Sequence, residues 1–562
     1  MDWKLAQYHN ESIYERYLTP VAMSKIYKNR MKFLIKVFYI FFYFASIFPL
    51  NAQNSKVINE QAAKFKEILE IANQNYIDSV DVKSITEKAF STMLKELDPF
   101  SNYLCAEQYK NISEINKGKG VGFGLNVIQI TDSIVIANVI KNSSADSNGA
   151  SIGDKIIFID DKKTTGMSLQ EINNLMQGEK GRCSKLLLKK HKDDSIVELV
   201  LTRNEHSIKS ISSSFIIPKT DIAYIKVVSF SNESAKEIKE ELNQLVRAGA
   251  KKLLFDLRSN NGGYLEKVLE LLEQFFQKGD LLVYTEARNQ SYAMRRVVEK
   301  DGDFIDIPII VLSDSHTASA AEIFSGAIQD NDRGLIVGEI TFGKGHAQKM
   351  WEFKDGSAFA LTVARYFTPS GRIVQKKNYN PKDLASANPL GTNADNTKAL
   401  EEIYKTIGEQ KAFPVFKSKK GRTILGGGGI FPDIIIKSDT LTPLSQVLKS
   451  RAIFFEFALH YLKYNEIDIR QKYEDQFLNF TNAFYVDNQL LEKFVDFSKS
   501  KNVWNEQMFA LDLEYIRNFI KAVISNVVWG DNGFYSVMMD QDQQAQKAIA
   551  SFEKAKELME LK

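Results

Sequence analysis

Cysteine is nearly missing from this 562-residue chain: Cys105 and Cys183 are the only two. They form no CxxC pair, which excludes a zinc ribbon and a thioredoxin-type redox motif. A disulfide between them is neither required nor ruled out. A chain this long buries enough core to fold without one, so scarce cysteine does not argue against export. Thirty glycines and eleven prolines are too few for a collagen-like or low-complexity chain. Internal repeats are absent, and so are recurrent apolar runs near 20 residues, which excludes a multi-span membrane protein. No HExxH occurs, which argues against a zincin. An excess of one charge is missing too. The balance of 73 basic and 70 acidic residues is too even to argue for a nucleic-acid partner. What is there is ordinary: 44% hydrophobic and 25% charged residues, the make-up of a folded protein. The length suits three or four domains at about 150 residues each.

The front of the chain is different. Residues 37–50, VFYIFFYFASIFPL, form an uncharged run of 14, and Lys25, Lys28, Arg30, Lys32 and Lys36 precede it. That run is short for a membrane span, which needs about 20, and fits the apolar region of a signal peptide. We expect residues 1–52 to be a leader, with cleavage after Ala52 and translation starting at Met23 or Met31. An uncleaved anchor is the alternative. The leader holds seven basic and three acidic residues, which leaves 66 basic and 67 acidic residues in the other 510. No cysteine follows the run, which argues against a lipoprotein.

Four regions follow. Residues 55–116 show helical spacing in KFKEILEIANQNYI and ITEKAFSTMLKEL, broken at Pro99. Residues 118–204 alternate short β-type runs (SIVIANVI, DKIIFID, KLLLKK, SIVELVLTR) with turns, around one helical stretch, LQEINNLMQG. Residues 207–440 read as layered α/β, with IAYIKVVSF, KLLFDL, IPIIVLS and GLIVGEI as buried strands between helices. A polar insertion at 376–420 is read as surface loop. Residues 441–562 are again amphipathic helix.

Three stretches of the α/β region could carry chemistry. In residues 307–330 a buried strand ends, a polar turn follows, and a helix starts near Ala320. Ser319 therefore sits at a strand-to-helix junction, exposed above the sheet with helix N–H groups nearby; it is either a nucleophile or a plain N-cap. GEITFGKG, from Gly338, matches a P-loop for seven positions, but Gly345 stands where Ser or Thr should bind magnesium, which argues against nucleotide binding. Lys344 between two glycines could instead act as a general base if burial lowers its pKa, or be a solvated turn lysine. Gly262 and Gly263, in RSNNGGYLEK, could present bare backbone N–H groups to an oxyanion, or form a bland turn.

Taken in order, DLRSNNGG, TASAAEIFSGAIQD, GEITFGKGHAQ, TVARYFTPSGRIVQ and GGGGIFPDIII resemble the C-terminal (tail-specific) processing peptidases, PDZ-containing serine endopeptidases with a Ser/Lys dyad. The resemblance spans about 335 residues. It implies a multidomain α/β protein: a crotonase/ClpP-like ββα peptidase core, a PDZ domain at 118–204, and helical N- and C-terminal regions. It aligns the nucleophile with Ser319, the base with Lys344 and a supporting glutamine with Gln348. Thr317 and Ala321 stand where the family has serines, and His346 where a small residue is commoner. In an extended strand Lys344 and Gln348 would lie about 13 Å apart, at ~3.3 Å per residue, so the segment must turn if Gln348 is to orient Lys344.

The resemblance further implies an oxyanion hole from Ala320 and Gly262 or Gly263. It places a carboxylate-binding loop at Gly122, Phe123 and Gly124, where a substrate with an apolar C-terminus adds a strand. No metal, cofactor or nucleic acid is implied. The expected protein is exported, in the periplasm, with the PDZ domain gating the site. The terminal helices are left to homo-oligomer assembly or adaptor docking. Three rivals stand beside this reading: a Ser319–His pair using His316 or His346, a catalytically silent PDZ scaffold, and a crotonase-type acyl-CoA enzyme. The acyl-CoA reading accounts for neither the PDZ domain nor the leader.

Overall fold

The structure is a computed structural model and describes residues 55–376 and 414–560. The expected leader and most of the polar insertion lie outside the described residues. The chain divides into two units, residues 1–90 and 91–562. In the first, residues 55–75 are helical, with Lys56–Glu60 and Lys66–Glu70 ion pairs at i,i+4 spacing. A second helix, Val82–Lys95, starts within this unit.

The second unit opens with a small β domain. Its antiparallel sheet runs in the order Leu125–Ile130, Ser133–Val139, Lys155–Ile159, Cys183–Lys189, Ile196–Thr202. A helix, Leu169–Met176, starts at a reciprocal Ser168/Glu171 capping box. Alternate strand residues, among them Ile134, Ile136, Leu186 and Leu188, pack against Ile172 and Met176. Leu125–Ile130 is an edge strand of this sheet.

The α/β core has a six-stranded sheet: Ile211–Ile216, Ile222–Val227, Lys252–Asp256, Ile309–Ser313, Gly334–Gly338 and Ile434–Ile435 in that order. The first pair is antiparallel and the rest parallel. Parallel strands are buried on both faces, which is why these runs are apolar throughout. Successive residues point to opposite faces. Leu253, Phe255, Ile309 and Val311 meet the helices Ser234–Arg247, Leu265–Leu272 and Ala320–Asp330. Leu254, Ile310, Leu312 and Val337 face the other way, onto Ala545, Ala548 and Phe552 of the C-terminal helices Gln543–Ile549 and Phe552–Glu560.

A second sheet stands beside the core. Strand Ala358–Phe367 pairs with Asn102–Leu104, Leu281–Glu286 and His346–Glu352. The C-terminal helices have their own aromatic-rich core around Phe454, Phe457, Phe480 and Phe494. They also reach the β domain, where Leu459 packs on Ile130 and Val135 and its carbonyl lies 2.8 Å from His191 Nε2. Among the described residues no helix is long and apolar enough to cross a membrane. Cys105 and Cys183 are both free thiols.

Candidate active site

Strand Ile309–Ser313 ends in a turn organised by Asp314. Its carboxylate accepts hydrogen bonds from the N–H groups of His316, Thr317 and Ser259. The Thr317 hydroxyl donates to Leu257 O at 2.9 Å, tying this turn to the glycine loop. Ser319 follows with φ 58° and ψ −119°. Positive φ is strained for a non-glycine residue, at about 1–3 kcal/mol, and marks a backbone held against its preference. Helix Ala320–Asp330 then starts, buried along its whole length.

Three residues into that helix, Glu322 is fully buried. Its carboxylate accepts four hydrogen bonds: from Ser319 N (2.8 Å), Thr341 Oγ1 (2.6 Å), Gly343 N (2.7 Å) and Lys344 N (2.8 Å). One carboxylate thus grips the Ser319 turn and the Lys344 loop together. Burial pushes its pKa up to about 7, although the four donors favour the charged form. In the sequence Glu322 is one letter of the TASAAEIF motif, with little to mark its task. The only signal was a carboxylate three residues after an N-cap, the spacing of a capping box.

Lys344 and Gln348 are brought together, with Lys344 Nζ donating to Gln348 Oε1 at 3.0 Å. The required turn has two parts. Gly343 adopts φ +92°, so the chain swings before the strand begins at His346. A register irregularity between Ala347 and Gln348 then re-aims the glutamine. Gln348 Nε2 is fixed by Phe100 O at 2.6 Å, and the Phe100 ring lies 5.1 Å from Lys344 Nζ. Burial lowers the Lys344 pKa, against opposing pulls from Glu322 and Asp98. No hydrogen bond joins Ser319 Oγ to Lys344 Nζ among the described residues.

The two glycines separate in role. Gly262 N–H donates to Asn260 Oδ1 at 2.8 Å, which removes it as a donor to an oxyanion. Its lack of a side chain matters instead for packing: a Cβ there would sit 2.9 Å from Ala318 O, Ala320 N and Ser319 Cβ. The N–H groups of Gly263 and Ala320 have no partner among the described residues. Gly263 is pinned by its neighbours, since Phe230 N donates to Gly262 O and Tyr264 N to Phe230 O. Asn260, which sequence reasoning passed over, is fully buried and anchors the loop through Val227 O at 2.9 Å.

Neither histidine near the site hydrogen-bonds Ser319 among the described residues. His316 is half exposed and lies 3.9 Å from Asp314. His346 packs edge-on against Phe100, and its buried Nδ1 has no hydrogen-bond partner among the described residues. In the β domain, Gly122 ends strand Lys119–Gly122 and Phe123 is buried in the core. Gly124 turns with φ +84° beside the open edge of Leu125–Ile130. Arg203 lies 4.5 Å over the Phe123 ring and donates to Leu175 O and Met176 O, closing the end of helix Leu169–Met176. The result is an open strand edge beside a helix, with a glycine turn at one end.

Three family descriptions match the chain: peptidase family S41 over residues 221–383, PDZ domain over 111–189, and a family of unknown function, DUF8443, over 444–530. Among curated relatives, the carboxy-terminal-processing protease of Bartonella bacilliformis is 32% identical over 350 residues, 61% of this chain and 79% of the relative. The carboxy-terminal processing protease CtpA of Bacillus subtilis is 29% identical over 63% of this chain and 80% of its own length. The carboxyl-terminal-processing protease of Picosynechococcus is 33% identical over 54% and 74%.

Proposed function

The chain belongs to peptidase family S41, as a PDZ-containing carboxy-terminal-processing protease of the serine type, and from that premise we propose that it is an exported endopeptidase working through Ser319 and Lys344. Neutral Lys344 takes the proton of Ser319 Oγ, and the oxygen attacks the peptide carbonyl. The resulting oxyanion is held by the N–H groups of Ala320 and Gly263. As this intermediate collapses, its C–N bond breaks, protonated Lys344 returns the proton to the leaving amine, and the acyl-enzyme that remains is hydrolysed by water, with neutral Lys344 taking the water's proton and Ser319 released.

The observation that carries this reading is the Glu322 carboxylate, which holds the Ser319 turn and the Lys344 loop in one network. Gln348 and Phe100 support it by holding Lys344 Nζ in a partly desolvated position that favours the neutral amine. Lys344 donates to Gln348 rather than to Ser319 in the free chain; catalytic hydrogen bonds often close only when substrate arrives.

The PDZ domain captures the substrate. A peptide C-terminus lies along the edge of Leu125–Ile130, its carboxylate on the N–H groups near Phe123 and Gly124, its apolar side chain toward Ile172 and Met176. The basic stretch and apolar run of residues 25–52 support export.

Cleavage of a panel of proteins with varied C-termini tests this. Wild type should favour apolar C-termini, and Ser319→Ala or Lys344→Ala should lose at least about 10³-fold in kcat. Full turnover by Lys344→Ala would remove the lysine as base. A wild type that binds these termini and cleaves none would point to a silent scaffold.

A further inference from the structure

The glycine loop begins at Arg258, and the far end of that side chain is not held by the peptidase core alone. Arg258 Nε and Nη2 donate to Asp256 at 3.0 and 2.6 Å. Nη1 donates to Gln544 Oε1 at 3.0 Å, and Nη2 lies 2.7 Å from Asp542 Oδ2. Both partners come from the C-terminal helices. We propose that Asp542 and Gln544 are positioning residues for the active site, holding Arg258 and through it the loop that presents the Gly263 N–H. This rests on the reading of Ser319 and Gly263 given above.

The charge balance supports the assignment. Asp256 and Lys226 are buried, 3.1 Å apart, and Lys226 Nζ also donates to Arg258 O at 2.5 Å. Two cations, Lys226 and Arg258, thus share one core carboxylate. Asp542 supplies the second, so the cluster is neutral only with the C-terminal helices in place. An uncompensated charge in such a setting is unstable, and the side chain carrying it moves toward water.

The loop is anchored further along, at Asn260 through Val227 O and on either side of Gly263 through Phe230, so the Arg258 contacts set its first residues. Ser259, the next residue, adopts φ 61° and, among the described residues, its N–H and hydroxyl are held by Asp314. Asn260 then sets Gly262, and Gly263 follows. A shift at Arg258 therefore pulls on the Asn260 anchor that orders Gly262 and Gly263, and the value of the Gly263 donor depends on sub-ångström placement.

Asp542 has two separable tasks. Its Oδ1 caps helix Gln543–Ile549 by accepting from Ala545 N at 3.0 Å, while Oδ2 faces Arg258. Asparagine is as good an N-cap as aspartate, so Asp542→Asn keeps the helix and removes the charge. Gln544 is braced in turn, its Nε2 donating to Ile436 O at 2.8 Å.

The test uses the full chain and compares Asp542→Asn and Gln544→Ala with Phe552→Leu. The last loosens the same helices without touching Arg258. Each is measured at a temperature where thermal melts show it fully folded. The expected result is a fall in kcat on the order of 10-fold for Asp542→Asn, the size of one charge-assisted hydrogen bond. KM should stay within about twofold, since substrate binding does not use the loop. Affinity for a peptide aldehyde, whose adduct with Ser319 carries the oxyanion, should fall in parallel with kcat, and Asp542→Glu should recover part of both. Equal losses in Asp542→Asn and Phe552→Leu, or a change confined to KM, would overturn the proposal. Turnover by Ser319→Ala equal to wild type would overturn the reading beneath it, and the proposal with it.

Discussion

Lys344 carries a cost in stability beside the task proposed for it. Burial lowers its pKa below the ordinary value of 10.5. Between the lowered value and 10.5 the unfolded chain binds a proton that the folded chain does not. Stability therefore rises with pH through that window, and the full penalty is present below it. Lys344→Met should raise the melting temperature at pH 7 and flatten its rise toward pH 10, while abolishing turnover. A variant no more stable than wild type at pH 7 would mean that the lysine is not desolvated. Wild-type kcat/KM should likewise rise with pH as the amine loses its proton, a limb read from initial rates across pH 6–10.

At this scale the resemblance, by its motifs and their 25-residue spacing, pointed to Ser319, Lys344 and Gln348, and the last two do meet, at 3.0 Å. The work of Glu322 was not legible, because its donors at positions 341–344 come near only through strand Gly334–Gly338 folding beside Ile309–Ser313. The exclusion of Gly262 as a donor was equally hidden, since it depends on which way the Asn260 side chain turns.

Among elements, the parallel strands could be read from their apolar runs, and helix Ala320–Asp330 from the end of one such run. The second sheet could not. Asn102–Leu104 is three residues long, and His346–Glu352 (HAQKMWE) alternates weakly; both are strands only because Ala358–Phe367 lies between them. The first of them ends the LDPFSNYL motif and is recruited by a partner far along the chain, Leu104 pairing with Ala358. The open edge of Leu125–Ile130 leads to a prediction of its own. Peptides captured there by strand addition use alternate backbone N–H groups. A C-terminal peptide N-methylated at one such position should bind the full-length Ser319→Ala protein several-fold more weakly, about 1 kcal/mol for each lost hydrogen bond. Methylation at the intervening residue should have less effect. Titration calorimetry showing equal losses at both positions would count against strand addition.

For the molecule as a whole, the amphipathic pattern of the C-terminal helices was plain, but amphipathic spacing does not name a partner. The structure gives them two tasks. They form an aromatic core of their own, and helices Gln543–Ile549 and Phe552–Glu560 cover one face of the peptidase sheet. Phe552, 2% exposed, is central to that cover. Phe552→Ala should cost about 3–5 kcal/mol, the usual range for a buried phenylalanine, and lower the denaturation midpoint of the peptidase core rather than of the C-terminal helices alone. Separate transitions, with the core unaffected, would show the cover to be dispensable.

That arrangement also sets an order in time. The strands Lys252–Asp256, Ile309–Ser313 and Gly334–Gly338 are synthesised long before the helices that shield Leu254, Ile310 and Val337. Until residues 543–560 have been made, that face of the sheet lacks much of its cover, and a nascent chain stalled short of them presents a sticky apolar surface. Synthesis of these helices, rather than completion of the sheet, is then the event that closes this face of the fold.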